Sequence, residues 1–247
     1  MNIVADSPQE HVSTGNRAGA GAACTSIDSS SGDLDHRCDA GRPAMQKFVL
    51  GVTGNIASGK STVVRRLVEH GAIGIDADIV YRELVGPGQP LLQRLVEQFG
   101  EGIVATDGSL DRAALGRIVF SDPEKLRELD ELTHPAVIAE IDRRVDAITS
   151  GVVVIDAVKL IESGHADHCD QVWVVTIDTE VQMTRLMERN RLPAEEARRR
   201  IEAQPPMAPK LARADRVIDN SGTLEETMAQ VDAGWREIER LMSGCDV

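Results

Sequence analysis

The residues best suited to chemistry form one continuous run, Gly54-Asn55-Ile56-Ala57-Ser58-Gly59-Lys60-Ser61, followed by Thr62. The pattern is G-x-x-x-x-G-K-S. Glycines let a backbone approach a polyphosphate closely with its N–H groups turned inward. A helix beginning directly behind such a loop adds the partial positive charge of its N-terminus. Lys60 then reaches the β- and γ-phosphates, and the Ser61 hydroxyl is placed to hold Mg²⁺. The loop needs a strand before it and a helix after it. Phe48-Val49-Leu50-Gly51-Val52 is apolar and strand-like, and Thr62-Val63-Val64-Arg65-Arg66-Leu67-Val68 reads as a helix. An ordinary glycine-rich turn would leave Lys60 unexplained, so Gly54 to Thr62 reads as a nucleotide site.

A second group is acidic. Ile75-Asp76-Ala77-Asp78 closes the next strand candidate, and strand C-termini in open α/β sheets face the ligand crevice. In an extended segment Asp76 and Asp78 would share one side. A phosphoryl acceptor hydroxyl needs an oxygen that orients it and takes its proton. Asp78 fits that role, with Asp76 available to a Mg²⁺ shell. The residues alone equally allow Asp78 to cap a helix starting near Ile79. Val152-Val153-Val154-Ile155-Asp156, four aliphatics ending in a carboxylate, resembles a metal-facing strand or a strand ending in a turn.

Gln182, Arg185 and Arg189 lie on one face of a predicted helix. Like charges four residues apart cost stability, and Glu188 relieves this only in part. A bound polyphosphate relieves it better, because Arg offers planar bidentate donors. Glu195–Arg199 and Glu196–Arg200 have the order of surface ion pairs. This favours Arg185 and Arg189 over Arg198 and Arg199 as ligand contacts and leaves Arg200 open. Thr133-His134-Pro135 reads as a helix start, with Thr as cap and Pro in the first turn. Asn220 and Gly222 suit either a loop under a purine or a plain turn. Trp173 and Trp235 are expected in the core.

The elements that position these residues alternate between strand and helix. Strand candidates are 47–52, 72–75, 152–155, 172–177 and 216–218. Several are continuously apolar, as in a parallel sheet covered on both faces. Residues 80–149 look like a helical insertion, with helices at 91–99, 112–120, 123–132 and 134–148. Residues 180–206 form an Arg-rich insertion. Residues 1–44 are rich in Gly, Ala, Ser and Asp and lack aromatics and Lys, so they read as a disordered tail before a domain over 45–247.

The chain has 247 residues, and aromatics make up only 2%, so the core must be aliphatic. A net charge of −13 disfavours nucleic acid as a partner. Cys24, Cys38, Cys169 and Cys245 show no metal or redox spacing. With no membrane-length apolar run and no signal-like start, a cytoplasmic protein with reduced thiols is expected.

Together these pieces resemble the dephospho-CoA kinase family of P-loop kinases. Beyond the phosphate loop, the resemblance rests on Ile75-Asp76-Ala77-Asp78 with Arg82-Glu83, Val85-Gly86-Pro87-Gly88, Leu110-Asp111-Arg112 and Thr133-His134-Pro135. It continues through Gln182, Arg185, Arg189, Arg200-Ile201 and Asn220-Ser221-Gly222. It implies a P-loop NTPase-type α/β fold, with a parallel sheet flanked by helices, a helical substrate-binding insertion and an Arg-rich lid. It implies ATP- and Mg²⁺-dependent phosphorylation of the ribose 3′-hydroxyl of dephospho-CoA. Asp78 becomes the acceptor-side carboxylate, Arg82, Arg112 and His134 become substrate contacts, and Asn220 lies near the adenine. The chain departs from the family at Val158-Lys159, where Pro-Leu is usual, so Lys159 either contacts phosphate or faces solvent. Competing readings are another small-metabolite or nucleotide kinase, a GTPase switch and a nucleic-acid-dependent ATPase. The guanine-reading N-K-x-D pattern is absent, and nothing in the sequence sets the oligomeric state.

Overall fold

A computed structural model describes residues 46–244. The tail read over residues 1–44 lies outside the described residues, as do Cys24, Cys38 and Cys245. Five strands form one parallel sheet: β1 (Lys47–Gly54), β2 (Ile73–Asp76), β3 (Gly151–Asp156), β4 (Gln171–Thr176) and β5 (Arg216–Asp219), in the order β2-β3-β1-β4-β5. All five strand expectations fall within two residues of these bounds. The chain leaves β1 for one side of the sheet and later crosses to the other, so the end of β1 is a switch point where a ligand crevice opens.

Side chains alternate across the sheet, and each face has its own core. Val49, Val153, Ile155 and Val174 face the helical insertion. Leu50, Val52, Val152, Val154 and Trp173 face α1 (Lys60–Glu69) and α9 (Leu224–Ser243). Trp173 is completely buried and Trp235 nearly so. Gly234 on α9 makes room for the Trp173 indole, because a Cβ there would sit 2.3 Å from its ring.

The insertion comprises α2 (Ala77–Leu84), α3 (Pro90–Phe99), α4 (Arg112–Val119) and α5 (Pro123–Asp146). The break expected at Thr133-His134-Pro135 does not occur, and α5 runs through it. Leu129, Thr133, Val137, Ile141 and Val145 form a buried stripe at four-residue spacing along α5, and continuity keeps that stripe on the core. An internal Pro costs roughly 3 kcal/mol. Burying Val137, Ile141 and Val145 beyond it contributes about 1.5–3 kcal/mol each, which outweighs the missing hydrogen bond. Thr133 is no cap; its Oγ1 donates back to Leu129 O at 2.7 Å. The Arg-rich segment forms α6 (Thr179–Asn190) and α7 (Ala194–Glu202), followed by α8 (Met207–Ala212). No helix among the described residues is long and apolar enough to cross a membrane.

Candidate active site

The loop between β1 and α1 wraps the N-terminus of α1. Its cap residue Gly59 has φ +87°, and no side chain occupies the cap position. No acidic residue lies in the first turn of α1, so the free N–H groups and the helix dipole remain available to an anion. Ala57 also takes a left-handed conformation, at φ 59°, which is costly for a residue with a Cβ and marks a functional loop. Other elements hold the loop in shape. Gln182 Nε2 donates to Ile56 O at 2.7 Å, and Asn55 Nδ2 donates to Pro205 O at 3.1 Å. Both ends of the Arg-rich segment are thereby tied to the loop.

Over the loop lies a cleft of about 690 Å³. Asn55, Ile56, Ala57, Gly59, Lys60, Ser61 and Thr62 line it, together with Asp78, Arg185, Arg189 and Asn220. Gly54 and Ser58 are buried behind its wall. Neither Arg185 nor Arg189 forms an ion pair among the described residues, although Glu188 shares the cleft. Arg200 does not join them: it forms the expected pair with Glu196, which also takes Arg199 in place of the pair expected with Glu195.

Lys60 makes an ion pair with Asp156 at the end of β3. Burial pulls the Lys60 ammonium below its ordinary lysine value, and the carboxylates of Asp76 and Asp78 oppose that pull. The geometry at β2 differs from the extended reading. Asp76 is the cap of α2, accepting from Asp78 N at 2.7 Å and Ile79 N at 3.2 Å. Both bonds go to Oδ1, so one oxygen of its carboxylate is committed to the helix. Asp78 is freed from capping and sits in the first turn of α2, not on the same extended face as Asp76.

A second, narrower cavity shares Asp78 and Val158 with the first and is lined also by His134, Lys159 and His165. Asp78 therefore stands where the two cavities meet. Lys159 is engaged by α5 rather than left free in solvent. Its Nζ bonds both oxygens of Asp130 at 2.8 and 2.6 Å, and His134 Nε2 lies 3.3 Å from the same carboxylate. Burial opposes the charge on Asp130, but the adjacent His134 ring and the bonds from Lys159 outweigh it and hold the carboxyl at about 2.

Arg82 and Arg112 line neither cavity. Arg82 is exposed on α2, while Arg112 opens α4 near the buried Tyr81 hydroxyl. Burial pushes that hydroxyl up to about 12 against the pull of the guanidinium. Asn220 lines the cleft with its amide already engaged: Nδ2 donates to Ser58 O at 2.7 Å, and Oδ1 accepts from Thr227 Oγ1 at 2.9 Å. It braces the phosphate loop from behind. A Cβ on Gly59 would lie 1.9 Å from that Nδ2.

Sequence reasoning missed Lys210. This lysine is fully buried, and its Nζ bonds Val158 O at 2.7 Å and Glu162 at 2.8 Å. Thr53 Oγ1 donates to the same carbonyl at 2.9 Å, so the segment separating the two cavities is pinned twice. Nothing in the local pattern of α8 marks its lysine as buried.

The family model for dephospho-CoA kinase matches residues 48–226. The dephospho-CoA kinase of Symbiobacterium thermophilum is 51% identical over 191 residues, covering 76% of this chain and 80% of its own. That of Geobacter metallireducens is 48% identical over 197 residues, covering 77% of this chain and 96% of its own. Among solved structures, TT1252 from Thermus thermophilus superposes with a TM-score of 0.66 at 33% identity, over 78% of this chain and 98% of that one. With the phosphate loop, the parallel sheet and the paired cavities already in place, these matches lead to one conclusion: the chain belongs to the dephospho-CoA kinase family.

Proposed function

We propose that Asp78, Lys60 and Arg185 carry phosphoryl transfer in this dephospho-CoA kinase, whose reaction moves the γ-phosphoryl group of ATP to the ribose 3′-hydroxyl of dephospho-CoA. The products are coenzyme A and ADP, and this is the last step of coenzyme A synthesis. One observation carries the assignment of roles: Asp78 lines both the phosphate-loop cleft and the narrower cavity beside α5. A carboxylate at that junction can aim an alcohol from one cavity at a phosphorus in the other and accept its proton late in transfer.

The loose transition state of phosphoryl transfer asks mainly for position and for neutralisation of charge. Backbone N–H groups of Gly59 to Thr62 cradle the phosphates, with the rest of the loop from Gly54 to Ser58 shaping the turn. Lys60 exchanges Asp156 for phosphate oxygens. Arg185 and Arg189 approach from α6 and offset the charge that develops. Asn220 supports the loop near the nucleotide, and His134 shapes the acceptor cavity. Arg82 and Arg112 belong to the outer part of the acceptor region. The segment over 180–206 acts as a lid. Its ends are already tied to the loop, so α7 is the portion that closes and excludes water.

The residues present also fit a Mg²⁺ ion. The Ser61 hydroxyl lines the cleft, and Asp156 places a nearly buried carboxylate beside Lys60. Hard oxygen donors next to phosphates suit this ion. Ser61 and Asp156 would hold it, and when bound it supplies further neutralisation of phosphate charge. Given the family and the acidic chain, the partners are small molecules, with no nucleic acid or membrane, and the setting is cytoplasmic.

Asp78→Asn tests the central role. Mass spectrometry of dephospho-CoA incubated with ATP and Mg²⁺ should show phosphoryl addition with the wild type and none with the variant, while ATP affinity stays within about threefold. Equal loss of ATP binding would place Asp78 in the nucleotide or metal site instead.

A further inference from the structure

Three side chains outside the kinase cleft converge without a part in phosphoryl transfer. Residues His165–His168 form a single 3₁₀ turn entered through Gly164. Such a turn has three residues per revolution, so side chains at i and i+3 eclipse. His165 and His168 therefore lie side by side and meet edge to face, with ring centroids 5.3 Å apart and planes at 80°. Facing both rings is Asp142 on α5. His165 Nε2 lies 3.0 Å from Asp142 Oδ1, and His168 Nδ1 lies 2.9 Å from Asp142 Oδ2.

One donor atom from each residue falls within 4.8 Å of the others. A tetrahedral centre with ligand bonds of about 2.0–2.2 Å needs donors roughly 3.3–3.6 Å apart. Small rotations of two rings and one carboxylate reach that arrangement. Two imidazoles with one carboxylate match a borderline divalent transition ion, whereas Mg²⁺ and Ca²⁺ prefer oxygen shells. Access is graded in the same way. The His165 side chain is 2% exposed, while that of His168 is 49% exposed. The outer side is open to an arriving hydrated ion and to a water as fourth ligand.

We propose that Asp142, His165 and His168 form a binding site for a divalent transition-metal ion, with Zn²⁺ the best match to the donor set. The ion joins α5 to the connection between β3 and β4. Because His165 also lines the cavity containing Asp78 and His134, the ion fixes one wall of the acceptor cavity. This site is separate from the Mg²⁺ position at the phosphate loop. The competing account is that carboxylate and imidazoles are only a hydrogen-bonded clasp between two elements.

Calorimetric titration of the full chain, first stripped with chelator, separates the two. Zn²⁺ and Co²⁺ are the probes, on wild type, His168→Ala and Asp142→Asn. His168 is half-exposed, so its truncation spares the core, and circular dichroism verifies the fold. The expected result is one equivalent of Zn²⁺ bound to the wild type, weakened at least tenfold in His168→Ala. Co²⁺ should give the visible bands of a four-coordinate centre, lost in the same variant. Absence of saturable binding overturns the proposal. So does unchanged binding in His168→Ala, which would assign the ion to His70, His134 or the histidines and cysteines at positions 11, 24, 36 and 38.

Discussion

Lys210→Met tests whether the segment between the two cavities is held by one buried ammonium. The Lys210 side chain is 0% exposed. Three acceptors surround its three N–H bonds: Val158 O at 2.7 Å and the two Glu162 oxygens at 2.8 and 2.9 Å. Methionine keeps the stem and removes the charge. Removing one partner of a fully buried ion pair costs about 3–5 kcal/mol. Glu162 is 30% exposed, so water recovers part of that loss, and Val158 O keeps Thr53 Oγ1 as a donor. Roughly 2–3 kcal/mol remains. For a domain of this size that lowers Tm by about 4–12 °C. Adding Glu162→Gln removes the stranded carboxylate, and the double variant should regain at least about half of the loss. Thermal unfolding followed by circular dichroism on the four proteins of the cycle reads both numbers. A Tm for Lys210→Met within about 1 °C of wild type, or strict additivity with Glu162→Gln, refutes the reasoning.

Lys60→Ala should lower turnover at least roughly 100-fold, the scale of losing one electrostatic stabiliser; steady-state kinetics with saturating ATP would expose near-normal turnover as a contradiction. Gly59→Ala forces a Cβ to 1.9 Å from Asn220 Nδ2 at a backbone φ of +87°, so nucleotide affinity should fall at least tenfold, measured by fluorescent-ATP titration; an unchanged Kd would show that the loop does not depend on this approach. Asp130 has its carboxyl held at about 2, below the usual unfolded value near 4. Its contribution is therefore fully present above about pH 4 and is lost as pH falls from about 4 to 2, some 2 kcal/mol in all. Asp130→Asn should flatten that part of the curve of Tm against pH, and an unaltered acid limb would sink the assignment.

Much of this molecule was legible in its sequence because periodicity and loop chemistry are local signals. The five strands announced themselves as short aliphatic runs, and the phosphate loop as glycines, a lysine and a serine at fixed spacing. What stayed hidden depends on partners distant in the chain. Pro135 is a good local reason to break a helix, yet the buried stripe of α5 overrides it. Asp76 and Asp78 could not be told apart as cap and free carboxylate, since the answer depends on whether α2 starts at Ala77 or near Ile79. Lys159 looked free because its partner, Asp130, lies 29 positions earlier on α5. Asn220 read as a turn or a residue under a base, and the brace its amide forms with Ser58 and Thr227 gave no local signal. For the polar residues the role was set by which group satisfies each side chain, and for Pro135 by the packing of α5; only the fold decides either.

The electrostatics resolve an apparent conflict between an acidic chain and two polyanionic substrates. A net charge of −13 repels both at long range. Salt screens exposed charges beyond about 10 Å at 0.1 M, so the approach is governed by what lines the cleft. There the balance reverses. The uncapped N-terminus of α1, Lys60, Arg185 and Arg189 face the same volume, and the two arginines have no ion-pair partner among the described residues. Lys60 alone is paired in advance, with Asp156. A buried ammonium without a counter-charge would shed its proton, and Lys60 is already pulled in that direction. Asp76 and Asp78 oppose that pull, and Asp156 supplies the direct counter-charge. The carboxylates around the phosphate loop therefore act on its lysine as well as on an arriving anion, since they counter the effect of burial on the Lys60 ammonium.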